Sequence, residues 1–587
     1  MKSLLEQLSA AVSGAFEAAG FDASLGRVTV SNRPDLCEFQ CNGAMAGAKQ
    51  YHRAPLEIAK AAAEKLAGCP LLSEVQVAPP GFLNLKVAPG ALAENLKELR
   101  DDPHLGAAQV GEGKTLIVDY GGANVAKPLH VGHLRSAIIG EALKRMARGA
   151  GFHAIGDVHL GDWGLQMGLV IAELQSRQPE LCYFDPNYEG EYPEEAPFTI
   201  SELEEIYPTA SARAKKDPSF SDQAHMYTLA LQRGERGIRA LWEKILQVSV
   251  ADLRRNYDNL NVSFEVWNGE SDADPYIPGL IERLKEGGFA YESEGALVVD
   301  VREETDQKEV PPCIVLKSDG AALYATSDLG TLVQREETNR PDRILYVVDK
   351  RQEMHFIQVF RTAKKAGIVR PEVQLDFLGF GTMNGRDGKP FKTRDGGVMR
   401  LEVLIRDITE AVLAKMREAG NLPEEEAEEI ARVVGLAALK YGDLSNQASK
   451  DYVFDVDRFC SFEGDTGPYL LYTVVRIRSI LSKAAEKFPE GEEALGPARS
   501  AAEKALALLL SRAPEAVSGA WEELAPHKLC QYVYDVSNAF NRFYHETKIL
   551  AEEDAAVRGG YLALLRLTEQ VLTGVIDLLG FSAPERM

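Results

Sequence analysis

Apolar residues recur along this chain in two rhythms, and the points where one replaces the other outline its architecture. Leu5, Leu8, Val12 and Phe16 fall on one face of an N-terminal helix. Val28-Thr29-Val30 and Phe82-Leu83-Asn84-Leu85-Lys86-Val87 predict strands, with a helix near 54–66 between them. Gly111-Glu112-Gly113 marks a linker. The β-branched run Thr115-Leu116-Ile117-Val118-Asp119-Tyr120 then predicts a strand, followed by a turn through Gly121, Gly122 and Asn124. Leu134, Ala137, Ile138, Ala142, Leu143 and Met146 return at three- and four-residue steps, which predicts an amphipathic helix stopped at Gly149-Ala150-Gly151. His153 to His159 reads as the next strand, and alternating strand and helix signals continue to about residue 440. That alternation predicts an α/β, Rossmann-type parallel sheet with insertions, one of them the Pro-, Glu- and Asp-rich stretch from Gln175 to about Asp222. Beyond about residue 456 strand signals vanish, and helices are predicted over 469–485, 501–511, 528–550 and 556–579. The pattern divides the chain into an α+β unit at 1–108, the parallel-sheet unit at 109–455 and an all-α bundle at 456–587.

Composition narrows the class. A 587-residue chain that is 45% hydrophobic and 26% charged builds substantial cores. It has no run of about 18 uncharged apolar residues, so no membrane span is expected. Glu6 interrupts what would be the apolar core of a signal peptide, and a cytoplasmic location is the expectation. Seven cysteines, an odd number, do not form a disulfide framework, and the Cys37/Cys41 pair lacks a second pair at zinc-finger spacing. The net charge of −23 confines any nucleic-acid contact to a local basic face and makes it salt-dependent.

The candidate chemistry begins at His130-Val131-Gly132-His133, where the first sheet strand hands over to a helix N-terminus. Open α/β sheets bind phosphate at such junctions. A zinc pair is the competing reading of the two histidines, but no further ligand stands at motif distance. Lys389-Pro390-Phe391-Lys392-Thr393-Arg394, within a glycine-rich run from Gly379 to Gly397, is a loop with several cations. Such a loop suits a pyrophosphate leaving group, because it can close over the charge only as that charge develops.

These segments carry a resemblance. Ala123-Asn124-Val125-Ala126-Lys127-Pro128-Leu129-His130-Val131-Gly132-His133-Leu134-Arg135-Ser136 closely resembles the nucleotide-binding motif of the class I arginyl-tRNA synthetases. Later segments match that family in order: His159–Gln166, Leu323–Gly330, Asp451–Phe454 with Phe462–Gly464, and the closing Ala583–Met587. The N-terminal unit, including Pro80–Asn84, resembles the family's tRNA-contacting domain, and Asn538–Tyr544 its helical anticodon-binding domain.

The resemblance implies ATP-dependent attachment of L-arginine to tRNA(Arg) through an arginyl-adenylate, with release of AMP and pyrophosphate. It also implies Mg²⁺ with the ATP, a monomer, and adenylate formation that depends on bound tRNA. His130 and His133 are expected to donate to the phosphates, with Gly132 and Phe391 also at the ATP site. The cation at the α-phosphate is left open among Lys127 and Lys389, weighted alike, and Lys392 behind them, because Lys389-Pro390-Phe391-Lys392-Thr393 departs from the wider Lys-Met-Ser-Lys-Ser pattern. The family's amino-acid pocket falls on Asp119, Asn124, Tyr324, Asp328 and Gln352. Carboxylates there accept a planar guanidinium fork as they cannot accept an ammonium. In the bundle, Arg542, Tyr544 and Arg586 are the candidates for tRNA contact, Phe540 and Phe543 are expected in the core, and Arg476 and Arg478 read as phosphate contacts or a solvated face. Two rivals stand beside this reading: a class I synthetase for another amino acid, lysine first, and a non-catalytic tRNA-binding paralogue.

Overall fold

Ser3 caps the first helix, α1 (Leu4–Ala18), by a reciprocal exchange. Its hydroxyl accepts from the Glu6 amide while the Glu6 carboxylate takes the Ser3 amide. Leu8, Val12 and Phe16 of the face expected from spacing are out of solvent, whereas Leu5 is only half-buried and Leu4 takes the core position in its place. The structure, a computed structural model, describes residues 1–127, 129–318, 320–389, 399–419, 423–489, 491 and 493–587. The chain forms two compact units, Met1–Gln109 with Ser461–Leu578 and Ser582–Met587, and Val110–Cys460 with Leu579–Phe581.

After α1, the first unit continues through β1 (Val28–Val30), β2 (Phe39–Cys41), α2 (Gly43–Tyr51), α3 (Pro55–Lys65), β3 (Leu72–Ala78), β4 (Phe82–Val87) and α4 (Pro89–Asp101). The strands pair antiparallel in the order β1-β2-β4-β3.

The second unit opens with β5 (Thr115–Asp119), α5 (Val131–Gly149) and β6 (His153–Asp157). A helical insertion follows: α6 (Leu165–Arg177), α7 (Ile200–Ala214), α8 (Pro218–Gln232) and α9 (Arg236–Asn259). The acidic, proline-bearing stretch therefore lies outside the sheet, as its composition predicts. Next come α10 (Glu270–Ala273), α11 (Ile277–Glu286) and a small antiparallel sheet of β7 (Ala290–Ser293), β8 (Ala296–Val299) and β9 (Cys313–Leu316). The chain then returns to the main sheet through α12 (Tyr324–Thr338), β10 (Arg343–Asp349), α13 (Glu353–Lys365) and β11 (Gln374–Phe380). Two short strands, β12 (Met383–Asn384) and β13 (Tyr452–Val453), pair across α14 (Leu401–Ala419) and α15 (Glu424–Leu444), and α16 (Val456–Phe459) follows. The remaining helices, α17 (Gly467–Lys487), α18 (Ala501–Leu510), α19 (Ala513–Glu522), α20 (Pro526–Glu546) and α21 (Ala555–Leu578), belong to the first unit, and no strand occurs past Val453 among the described residues.

The main sheet is wholly parallel, in the order β11-β10-β5-β6. From β5 the chain steps to β6 on one side, then returns to β10 on the other. The strand order thus reverses between β5 and β10, and the crevice beyond their C-terminal ends is where such sheets receive ligands.

One row of residues crosses the sheet at that edge. Tyr346 pairs in register with Asp119, and Asp119 with Asp157. Arg335, projecting from α12, reaches all three: its guanidinium donates to Asp119 Oδ2 at 2.5 Å, to Asp157 Oδ2 at 2.8 Å and to the Tyr346 hydroxyl at 3.1 Å. All four side chains are buried. Beneath them Ile117, Ile155, Ile344, Leu329, Leu332 and Val359 form the core between sheet and helices.

α5 departs from its amphipathic reading. Arg135, Glu141 and Lys144, on its polar side, are as buried as its leucines. Arg135 pairs with Asp443 of α15 at 2.8 Å, and Glu141 accepts from the Tyr120 hydroxyl at 2.8 Å and pairs with Lys144 at 3.1 Å. The helix is covered on both sides, and its charges answer one another internally, as buried charges must.

Replacing Arg335 with Met leaves two buried carboxylates facing each other unpaired. The expected cost is about 3–5 kcal/mol of stability, read as a large drop in the urea midpoint of this unit. A shift near zero would show that the guanidinium does not tie the strand ends.

Candidate functional site

The N-terminus of α5 is built from the two histidines themselves. His130 is the N-cap, in extended backbone, and its Nδ1 accepts from the Gly132 amide at 3.0 Å. The His130 amide in turn donates to His133 Nδ1 at 3.2 Å. The rings lie 4.0 Å apart, tilted by 34°. Burial, with the neighbouring His130 and Lys127 adding to it, depresses the His133 imidazole to about 3, and burial and Lys127 also lower His130. Both rings are therefore neutral near pH 7. With each Nδ1 accepting, each proton sits on Nε2. The pair presents two neutral N–H donors whose tautomers are set by backbone amides of the same turn.

The turn leading into this pair is held from several sides. Ala126 occupies the left-handed region at φ 57° and donates its amide to the buried Ser249 of α9 at 3.0 Å. Gln166 of α6 donates to the Val125 carbonyl at 2.8 Å. Lys127 places its ammonium 4.2 Å from the centre of the Tyr207 ring. Downstream, the Val131 amide donates to Met399 O at 3.1 Å and the Leu401 amide to Leu129 O at 3.0 Å, so residues 399–401 pair antiparallel with the histidine turn. Lys389 is exposed, on a tight turn in which its carbonyl accepts from Gly385 at 2.8 Å. Phe391 and Lys392 lie outside the described residues.

A group of carboxylates stands at the same edge. Asp119 has one oxygen committed to Arg335. Asn124 bridges to Gly161, in the loop after β6, and a Cβ at Gly161 would collide with the Asn124 Oδ1, so the close approach requires glycine. α12 is helical from Tyr324, which makes Tyr324 and Asp328 i, i+4 neighbours on one face. Tyr324 is 77% exposed, while Asp328 meets His355 Nε2 of α13 at 2.5 Å. Gln352, the N-cap position of α13, is exposed one turn before His355. Asp119 and Asp328 both bear electrostatically on the Tyr346 hydroxyl.

Glu270 completes this group, and the sequence reading passed over it. Burial pushes its carboxyl up to about 7, with Asp162 and Asp328 adding to the effect and His159 opposing it. Its place is set by Asp162, a buried carboxylate that accepts from the Ser271 amide at 3.0 Å and the Ser271 hydroxyl at 2.5 Å. A Cβ at Gly269 would strike that carboxylate. In sequence, Gly269-Glu270-Ser271-Asp272-Ala273-Asp274 looks like a solvated acidic loop; the available signal was the Gly-Asp of Gly161-Asp162, whose partner it is. Among the described residues no three His, Cys, Asp or Glu side chains gather as a metal site.

In the other unit, Phe540 and Phe543 are fully buried, as expected. Arg542 is exposed and paired with Glu546 at 3.0 Å, and Arg586 is exposed near the chain end. Tyr544 stacks on Phe540 with centroids 6.1 Å apart, and the Arg476 guanidinium lies 5.5 Å from the Tyr544 ring and 4.7 Å from that of Tyr472. Arg478 is used internally, bound to Glu569 at 2.7 Å and to the Pro584 carbonyl at 2.9 Å. Tyr472, at i−4 from Arg476, is a further aromatic group the sequence reading did not single out.

Comparison with known proteins agrees along the whole chain. Residues 96–456 match the family described as tRNA synthetases class I (R), catalytic domain; residues 470–587 match the DALR anticodon binding domain; residues 2–87 match the arginyl tRNA synthetase N terminal domain. The chain is 58% identical over 597 residues to the arginine–tRNA ligase of Agathobacter rectalis and 54% identical over 587 residues to that of Alkaliphilus oremlandii, with 100% of each chain covered in both cases. Its fold is similar to the arginyl-tRNA synthetase of Plasmodium falciparum, with a TM-score of 0.82 at 23% identity and 100% of both chains covered. It is also similar to that of Thermus thermophilus, with a TM-score of 0.80 at 24% identity, covering 99% of this chain and 100% of the other.

The hydrogen-bond pattern of the histidine pair has a direct readout. ¹⁵N correlation spectra of the imidazoles should show His133 neutral and protonated on Nε2 from about pH 5 to 9, since its pKa is about 3. A protonation midpoint near 6, or a proton on Nδ1, contradicts the arrangement.

Proposed function

The chain belongs to the class I arginyl-tRNA synthetase family, and we propose that the edge of its parallel sheet carries out adenylate formation and transfer to tRNA. It attaches L-arginine to tRNA(Arg) in an ATP-dependent reaction. A carboxylate oxygen of arginine attacks the α-phosphorus of ATP, the bond to the β-phosphate breaks, and pyrophosphate leaves. A hydroxyl of the tRNA's 3′-terminal ribose then attacks the arginyl carbonyl and AMP departs.

The observation that carries this assignment is the neutral, Nε2-protonated histidine pair at the N-terminus of α5. Such donors answer charge as it builds on the phosphates and need no reorganisation to do so. Lys127 supplies the cation at the α-phosphate in this reading: its charge already acts on both imidazoles, whereas Lys389 sits exposed on a turn. Mg²⁺ enters on the phosphates as part of the substrate. The arginine guanidinium lies between Asp328 and Glu270, with Tyr324 along its stem and Asn124 and Gln352 on its polar atoms. Asp119 serves the pocket through Arg335, which it holds. Two acids suit a planar five-donor fork better than an ammonium, which favours arginine over lysine.

Residues 1–108 and 456–587 are assigned to the tRNA, with Tyr544, Arg542 and Arg586 at the anticodon-binding end. The exposed Tyr544 and Tyr472 rings flanking Arg476 suit stacking with unpaired bases. The chain is assigned as a monomer, to be checked by light scattering against its mass of 64.3 kDa. A cytoplasmic location is in keeping with its seven free thiols.

His130→Ala should lower kcat for aminoacylation by about 10²–10³-fold with little change in the KM for arginine; an unaltered kcat rules out the donor role. Glu270 must ionise to accept the guanidinium, and in the free protein it does so only near 7. The KM for arginine is therefore expected to rise as pH falls below about 7, by about tenfold per pH unit. Glu270→Gln should raise that KM by about 10²–10³-fold and flatten its pH dependence. Retention of the pH dependence in the variant would assign the titration elsewhere.

A further inference from the structure

α7 belongs to the helical insertion and lies outside the sheet, yet one turn of it touches both flanks of the histidine motif. Tyr207 sits under the Lys127 ammonium, 4.2 Å from ring centre to nitrogen. Glu204, three residues earlier on the same helix, pairs with Arg400 at 2.5 Å. Arg400 is in turn bridged through its backbone to His130. Lys127 precedes the histidines and Arg400 is the centre of the segment that pairs with them, so the helix braces both sides of the phosphate-binding turn.

The backbone at Lys127 is fixed independently. The Ala126 amide is bound by Ser249, and Ala126 adopts a left-handed conformation that an L-residue avoids unless held there. What this leaves free is the long lysine side chain. A lysine stem samples many rotamers in water, and an ammonium that must meet one phosphate oxygen loses rate in proportion to the time it spends elsewhere. The negative face of an aromatic ring attracts an ammonium without neutralising it, whereas a carboxylate partner would compete with the phosphate. Tyr207 is itself steadied on one side by the apolar cluster of Leu169, Ala172, Ala210, Phe220 and Ala224.

We propose that Tyr207 is a positioning residue for adenylate formation: its ring holds the Lys127 ammonium beside the His130–His133 pair, ready for transfer to a phosphate oxygen of ATP. The proposal rests on the assignment of Lys127 given above, and the experiment separates the two. Steady-state aminoacylation by the full chain, with ATP varied at saturating arginine and tRNA, is measured for Tyr207→Leu, Tyr207→Phe, Lys127→Met and the Tyr207→Leu/Lys127→Met pair. Tyr207→Leu should lower kcat/KM for ATP by about tenfold, within the two- to thirty-fold range of a cation–ring contact, and leave the KM for arginine unchanged. Tyr207→Phe, which keeps the ring, should stay within about twofold. Lys127→Met should lose about 10²–10³-fold, and adding Tyr207→Leu to it should cost nothing further.

If Tyr207→Leu folds poorly, phenylalanines carrying successive ring fluorines at position 207 keep the shape while draining the ring face, and kcat/KM for ATP should fall stepwise along the series. Full activity in Lys127→Met would remove the lysine assignment and the proposal with it. A normal loss in Lys127→Met, combined with an equal Tyr207→Leu effect in both backgrounds or a flat fluorine series, would overturn the proposal alone.

Discussion

A single guanidinium holds the working edge of this protein together. Arg335 comes down from α12 onto a row of three residues in register on adjacent strands, Tyr346, Asp119 and Asp157, and binds each of them. Parallel strands are joined only by long crossovers, so nothing local in the chain aligns their ends. The buried ion cluster does so from outside the sheet. Three parts of the site leave from that row or just beyond it: the histidine turn from β5, the Gly161-Asp162 loop from β6, and the start of α13 from β10.

The same chemistry appears twice, once closed and once open. Asp119 and Asp157 are each paired with an internal arginine. Among the described residues, Asp328 meets His355, and the effect of burial on Glu270 is opposed by the nearby His159. Burial, with Asp162 and Asp328 adding to it, is what drives the Glu270 carboxyl toward neutrality. In the proposed arginine pocket, a carboxyl poised in this way would favour a ligand that brings its own fixed, planar charge over a neutral ureido analogue such as citrulline.

Much of this was legible from residue order. The β-branched run at Thr115–Tyr120, the handover to a helix at the histidines and the stop near Gly149 mark a strand, a turn and a helix that the structure contains. Phe540 and Phe543 read as core and are core. What could not be read is where charge is used internally. Arg335 sits in Gln334-Arg335-Glu336-Glu337-Thr338, which resembles a solvated helix end. Arg135, Glu141 and Lys144 give α5 an apparently wet face that is buried against other elements. Glu270 lies in an acidic stretch indistinguishable from surface loop. Periodicity reports which side of an element is apolar; it does not report whether the polar side meets water or another charge, because that depends on elements hundreds of residues away, as with Arg135 and Asp443.

The neutrality of the histidine pair also bears on the end of the cycle. A neutral donor offers an anion a charge-assisted hydrogen bond without the net attraction that an imidazolium adds. In the proposed reaction, two imidazoles without net charge would steady a phosphate while the bond to it stretches, and would hold the severed pyrophosphate less tightly than two cations at the same places. As imidazolium ions in the same geometry they would add a net attraction that delays the departure of the leaving anion.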